Sequence, residues 1–371
     1  MAMELPSTVD RLLAESQSLD SKGDLSKALQ TAANALEIAR SVNATATGRA
    51  LVGLARIRFR LGQYDQAKTL ALEALSHVEA GPPDENARVR VDVLQILGNC
   101  AAETNSFAEA EEHYRQASEL ARESGYLRGR VAALHGLANG VFFPRGQFDL
   151  AFSFEEEIYF LLREHGLNED LIFPLITMAM VCLSTGQVQR AATALEELSR
   201  IVVPHSFAQG YCFCLKADLA LKEDDLQAAE ALLSASRKIG ETTGEPWLNI
   251  NLRLGMSRYH RKYKNGAAAR DWANDALTFA DRVGYSHEKG KALVERARAY
   301  WLCGDYSEAE VDLTSAVEIF EELGAMFDQA CARFLLAVLL EIGKKENAAS
   351  SWLLAVKSIM EGRGGEDDAP L

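Results

Sequence analysis

The sequence predicts an all-α protein, a superhelical solenoid of nine helix-turn-helix repeats. Three observations predict it. A turn leading into an amphipathic helix recurs along the 371 residues, as GDLSKAL from Gly23, GQYDQAK from Gly62, GQFDLAF from Gly146 and GDYSEAE from Gly304. Anchored on the first residue of each turn, the series runs Gly23, Gly62, Asn105, Gly146, Gly186, Asp224, Lys264, Gly304 and Gly343, with an average spacing of 40 residues. Five residues past every anchor stands an alanine: Ala28, Ala67, Ala110, Ala151, Ala191, Ala229, Ala269, Ala309 and Ala348. Strand signals are missing: no run of period two is sustained, and no Asn-Gly hairpin joins alternating apolar segments.

Each repeat reads helix A, turn, helix B. Seven residues past the first alanine, helix B carries Ala35, Ala74, Ala117, Ile158, Leu198, Ser236, Ala276, Ala316 and Ala355. Seven residues are two helical turns, so the two positions share a face. Small residues there let helix backbones approach closely, and a large one would overpack the contact at a cost of about 1–3 kcal/mol.

The elements follow in chain order. The first repeat turns at Gly23 and ends its helix B near Asn43, a residue suited to a left-handed helix end. The second turns at Gly62 with Tyr64 behind it, and its helix A carries Ala55; the third turns at Asn105 with Phe107, carries Gly98, and ends at Gly125. The fourth turns at Gly146 with Phe148; Pro144, just before that turn, should shorten or kink its helix A. Its helix B ends at Gly166. In the fifth, Pro174 sits near the start of helix A, where proline is tolerated, Ala179 follows, and Leu171–Gln189 reads as a buried helix plus a turn rather than a membrane span. Pro204 lies in the loop to the sixth repeat. The sixth, seventh and eighth end at Gly244, Gly284 and Gly324, and the eighth carries Ala297 and Tyr306. The ninth turns at Gly343. Residues 1–361 read as a single solenoid, and 362–371, GRGGEDDAPL, as a disordered acidic tail.

Small residues seven apart, an aromatic three residues before the first (Tyr64, Phe107, Phe148, Tyr306) and paired helices resemble the tetratricopeptide repeat. The 40-residue period resembles the long-helix variety found in the sensory arms of bacterial multidomain regulators, such as the maltose regulator, and in kinesin light chains. The resemblance implies a right-handed superhelix, with A helices inside and B helices outside. It also implies a concave groove lined by helix A. Carried onto this sequence, its lining positions give basic Arg49, Arg56 and Arg60 near one end. The middle is apolar, with Phe143, Phe173, Ile176, Met180, Leu183, Tyr211, Cys214 and Leu221. Arg258, Arg261, Lys262, Lys291 and Arg298, beside Trp301, make the other end basic. The carboxylate-clamp version of the family needs a Lys and Asn pair one turn apart. Asn99 matches, but Gln95 stands where the lysine should be, so binding of chaperone tails is not expected.

Lys and Arg total 39 against 53 Asp and Glu, a net charge of −14. Broad nucleic-acid or anionic-membrane binding needs a basic field and is disfavoured. Arg258–Lys264 mixes basic and aromatic residues as single-strand binders do, but it is one helix end. The N-terminus lacks the basic and apolar regions of a secretory signal. The six cysteines, Cys100, Cys182, Cys212, Cys214, Cys303 and Cys331, read as reduced core thiols, which points to the cytoplasm. Cys212 and Cys214 would point about 200° apart on a helix.

No P-loop, H-E-x-x-H or G-x-S-x-G motif occurs, and the seven histidines have no metal spacing. Neither catalysis, a cofactor nor a metal is therefore expected. Glu155-Glu156-Glu157 reads as a solvated helix face. The aromatic cluster from Phe142 to Phe160 reads as core or as a local pocket.

These residues predict a noncatalytic scaffold that holds a protein or peptide segment, apolar in its middle and acidic at its flanks, in the concave groove. The alternative is a sensory arm of a larger regulator, binding a small ligand or its own effector domain. The apolar central repeats would also serve self-association.

Overall fold

A computed structural model describes residues 4–21, 24–78 and 83–342, and among them the chain is all-α, with seventeen α-helices. The expected turn at Gly23, the ninth-repeat residues Gly343, Ala348 and Ala355, and the tail 362–371 lie outside the described residues. Helix A and helix B alternate as α1 (Glu4–Ser21), α2 (Leu25–Ala39), α3 (Ala44–Arg60), α4 (Tyr64–Val78), α5 (Pro83–Glu103), α6 (Phe107–Glu123) and α7 (Leu127–His135). They continue as α8 (Phe148–Glu164), α9 (Ile172–Ser184), α10 (Val188–Ile201), α11 (Phe207–Lys222), α12 (Leu226–Thr243), α13 (Pro246–Lys262), α14 (Gly266–Val283), α15 (Ser286–Cys303), α16 (Tyr306–Glu322) and α17 (Met326–Ile342).

The backbone turns left-handed at Gly62, Asn105, Gly146, Gly186, Asp224, Lys264 and Gly304, with φ between 57° and 88°. At Gly62 the hydrogen bonds show why the helix stops. Its N–H donates to the Phe59 carbonyl and the Gln63 N–H reaches back to the Arg58 carbonyl, both at 2.9 Å, which satisfies carbonyls the helix end leaves open. A second left-handed set at Gly125, Gly166, Gly244, Gly284 and Gly324 closes helix B. Asn43 departs from the sequence reading: its backbone is extended (φ −167°) and its Oδ1 accepts the Ala46 N–H at 2.7 Å. It therefore starts α3 rather than ending α2.

The small positions explain the close stacking. Ala28, Ala67, Ala110, Ala151, Ala191, Ala229, Ala269 and Ala309 are all 0% exposed, as are Ala35, Ala74, Ala117, Ile158, Leu198, Ser236, Ala276 and Ala316. Repeat-spaced polar pairs add to this packing: Tyr64 donates to Glu103, Lys68 to Glu109 and Lys262 to Asp224.

Two compact units make up the chain, Met1–Val141 and Phe142–Leu371. In the first, Leu51, Val78, Val93 and Leu97 share a core spanning α1 to α5. Tyr114 is fully buried, and its hydroxyl donates to Asn99 Oδ1 at 2.7 Å. Its ring takes the space where Cβ atoms on Gly98 and Gly136 would stand, 2.8 and 2.3 Å from it. After His135 the helix widens into a π-segment, Gly136–Phe142, which stops two residues before Pro144.

In the second unit, Pro174 lies in the first turn of α9 after a 3₁₀ turn at Asn168–Leu171, where its missing N–H costs nothing. Ile158, Leu195, Leu233, Leu248 and Phe320 fill the core. The aromatic cluster divides. Phe142 stacks on Phe154, Arg190 lies 4.1 Å over Phe152, and Phe160 is 62% exposed. Glu155, expected on a solvated face, is 0% exposed, because the periodicity of α8 turns it to the core side with Ile158 and Leu162. The unit also returns on itself. Phe148, at the start of α8, meets Phe327 of α17 edge-on with ring centroids 4.6 Å apart. The Phe327 N–H donates to the Pro144 carbonyl at 3.4 Å.

Among the described residues no helix is long and apolar enough to cross a membrane. Cys100, Cys182, Cys212 and Cys214 are buried, but Cys303 is exposed at the end of α15 and Cys331 is half-buried, so those two depart from the core reading. Cys212 faces Ser199 and Cys214 faces Ser236, on different neighbouring helices.

Candidate functional site

Helix A of five successive repeats in the second unit lines one cavity of about 610 Å³. α9 supplies Leu183 and Ser184, and α11 supplies Asp218, Leu221 and Lys222. From α13 come Arg258, Arg261 and Lys262; from α15, Lys291, Val294, Glu295 and Arg298. α17 contributes Phe327, Asp328 and Cys331, with Phe320 from α16. On α11, α13, α15 and α17, spacings of three and four put each helix's contribution on one face. Six cations stand against three carboxylates in a chain of net charge −14.

The charges are arranged in a chain of contacts. Arg258 grips Asp218 with both arms, Nε to Oδ1 at 2.8 Å and a terminal nitrogen to Oδ2 at 2.9 Å. Burial raises the Asp218 carboxyl pKa, with Arg258 opposing it. Burial also works against charge on Glu295, but Arg298, Arg261 and Arg258 outweigh it and hold that carboxyl below its ordinary value. Arg298 lies 2.6 Å from Glu295 Oε1 and Arg261 Nε 3.5 Å from its Oε2. Lys262 reaches Asp224 at 2.5 Å. His287 bonds to Asp328 at 2.8 Å, with Glu288 3.7 Å from its other ring nitrogen. Burial and Lys291 oppose a proton on His287, but the two carboxylates prevail and its pKa is raised. Among the described residues Lys222 and Lys291 carry no ion pair, although both line the cavity. Burial pushes the Cys331 thiol up to about 11, which leaves it protonated and a poor nucleophile.

The structure brings Arg258, Arg261 and Arg298 together with Lys262, Lys291, Leu183 and Leu221. It does not bring Trp301, which packs with Tyr300 and Leu336 against Ala297 and Leu339. Tyr211 is 3% exposed, its ring 4.1 Å from Trp247 and its hydroxyl on Met180 Sδ. As a partner contact it is therefore a correction: the ring is consumed inside the wall, as are Ile176 and Cys214. Phe173 is 59% exposed and, like half-buried Met180, lies outside the cavity lining. Phe143 packs edge-on against Phe148.

The arginines expected at the basic end of the N-terminal repeats face aspartates. Arg49 pairs with Asp10 at 2.8 Å and Arg60 with Asp20 at 3.2 Å. Arg56 and Arg49 share a separate cavity of about 280 Å³ with Asp10, Asp20 and Asp92. Aspartates from α1 and α5 cancel the field of the α3 arginines. Asn99 is engaged by Tyr114.

Sequence reasoning missed Ser184, Asp218, Lys222, Val294, Glu295, Phe320, Phe327, Asp328 and Cys331. One signal was present for Asp218: it and Arg258 are 40 residues apart, one repeat, so equivalent positions on adjacent A helices carry opposite charge.

A family model of the MalT-like TPR region matches residues 63–361, and one of the tetratricopeptide repeat matches 48–73. The chain is 24% identical over 258 residues to regulatory protein AfsR of Streptomyces griseus, in an alignment covering 69% of this chain and 25% of AfsR. It thus spans about a quarter of that relative's length. Among solved structures, a Rap protein complexed with competence and sporulation factor matches at a TM-score of 0.69 and 14% identity, covering 96% of this chain and 100% of that one. The apo form of the quorum sensor NprR from B. thuringiensis matches at 0.62 and 14%, covering 83% and 86%. At these identities the likeness is one of fold.

Proposed function

This chain belongs to the MalT-like TPR region family, and we propose that it is a noncatalytic ligand-binding scaffold that holds a peptide segment in the cavity lined between Leu183 and Cys331. One observation carries the reading: six cations surround Leu183, Leu221, Val294, Phe320 and Phe327 within a strongly acidic chain. Such a site suits a segment with carboxylates beside an apolar anchor. All three arginines are held by Asp218 and Glu295, which fixes their positions in advance. Lys222, near Asp218, and Lys291, near Glu288 and Asp328, make no direct ion pair among the described residues and would meet the ligand's carboxylates. The fold likeness to the Rap protein complexed with competence and sporulation factor, to the quorum sensor NprR and to a Rap conjugation gene regulator in complex with the Phr* peptide makes a short peptide the natural occupant to test.

The alignment with a quarter of a regulatory protein favours a second reading of the same site, as the sensory arm of a larger regulator. The two differ in what the occupied scaffold controls.

The test is selection of binders from a library of linear hexapeptides randomised at every position. Enriched sequences should combine Asp or Glu with Leu or Phe. Lys222→Ala with Lys291→Ala should weaken them by roughly tenfold or more, since a charge-assisted hydrogen bond contributes about 1.5–3 kcal/mol. Failure to enrich any sequence over the double variant would overturn the reading.

A further inference from the structure

Resting on that reading, we propose that the second unit takes its ligand end-on, so that the ligand is a free carboxyl-terminal chain end rather than an internal segment of a folded protein. In an ordinary solenoid each repeat touches only its neighbours, which leaves the groove open along one side. A partner's internal segment can then be laid in sideways. Here that side is bridged at one place. Phe148 meets Phe327 across 4.6 Å, Phe143 backs Phe148 at 5.3 Å, and the Phe327 N–H reaches the Pro144 carbonyl. At Gly146 a Cβ would stand 3.2 Å from Phe327 Cβ, and the left-handed backbone there (φ 74°) already favours glycine. The clasp joins residues about 180 apart in sequence.

The lining residues, Leu183 to Cys331, come almost wholly from the stretch of chain that the clasp closes into a loop. Helix A of every repeat from α9 to α17 lines the cavity, and Phe327 belongs to both the clasp and the lining. Its volume of about 610 Å³ falls in the range of small-ligand sites and suits one strand of a few residues. A loop would have to enter as a doubled chain. A carboxyl terminus enters singly and brings an extra carboxylate, which matches the two cations left without an ion pair among the described residues, Lys222 and Lys291.

The experiment displays one randomised hexapeptide library in two formats on the same carrier, once as a free carboxyl terminus and once closed within a surface loop. The wild-type chain should enrich binders from the free-end format only. Phe148→Ala removes a clasp ring that is not part of the cavity lining. Provided its circular dichroism matches wild type, it should bind the loop-closed form of a selected sequence at least tenfold better than wild type does. Equal enrichment from both formats by the wild-type chain would overturn the end-on proposal and leave the peptide-binding reading intact. Enrichment from neither format would overturn both. The wild-type comparison decides without the variant.

Discussion

Replacing Arg258 by alanine tests whether the cavity's own charges hold its wall. Arg258 makes two hydrogen bonds to Asp218, at 2.8 and 2.9 Å, and joins α13 to α11. The two side chains are 26% and 23% exposed. Deleting one partner of a fully buried pair costs about 3–5 kcal/mol, because the other charge is stranded. Exposed pairs contribute about 0–1 kcal/mol. A bidentate pair of intermediate exposure falls between, at about 2–3 kcal/mol. The pH dependence separates a stranded charge from lost packing. Burial already raises the Asp218 carboxyl above 3.8, and without Arg258 it rises further. Between the unfolded value and the raised folded value, the native state binds more protons than the unfolded chain. Stability therefore falls as pH rises through that window. The variant's deficit should be largest near pH 7 and should shrink near pH 4, as read by urea unfolding at both. Adding Asp218→Asn should recover part of the loss near pH 7. A deficit of the same size at both pH values would refute the stranded-charge reasoning.

Three further outcomes are expected. Ala309→Leu, at a 0% exposed contact, should lose about 1–3 kcal/mol in thermal or urea unfolding, and an unchanged midpoint would mean the helix contact can give way. His287, whose pKa is raised by Asp328 and Glu288 against burial and Lys291, should titrate above 6.5 by NMR. Its stabilising contribution is fully present below that unfolded value and is lost as pH rises through the folded one, so His287→Gln should flatten that part of the stability profile. In the native chain a thiol reagent near pH 7 should label exposed Cys303 quickly. Buried Cys214, pushed to about 12, should react only on unfolding, and half-buried Cys331, pushed to about 11, should react more slowly than Cys303; rapid labelling of Cys214 would contradict its burial.

Much of the fold was legible because a solenoid writes its contacts locally. An alanine five residues after each turn, with its partner seven further on, is enough to set helix faces, and every such residue among those described is 0% exposed. Asn43 misled because asparagine serves both ends of a helix, and only the backbone angle distinguishes them. Glu155 misled because three adjacent glutamates cannot all lie on one face of a helix. The arginines at 49, 56 and 60 were identified as one helix face, but the aspartates that offset them come from the neighbouring repeats. Asp218, Glu295 and Asp328 were missed for the same reason, since a cavity's charge balance depends on the register between helices. The clasp had no local signature. It arises from small rotations summed over five repeats, which no single residue encodes.

The Phe148–Phe327 contact also has a mechanical consequence. A run of repeats joined only to their neighbours is a spring, and its softest motion is a change of pitch that spreads a small angle over every interface. Tying two distant coils together removes that motion. Under tension applied at the ends of residues 142–342, the unit should therefore resist stiffly until the aromatic rings part, and then lengthen at low force as the freed coils open one after another.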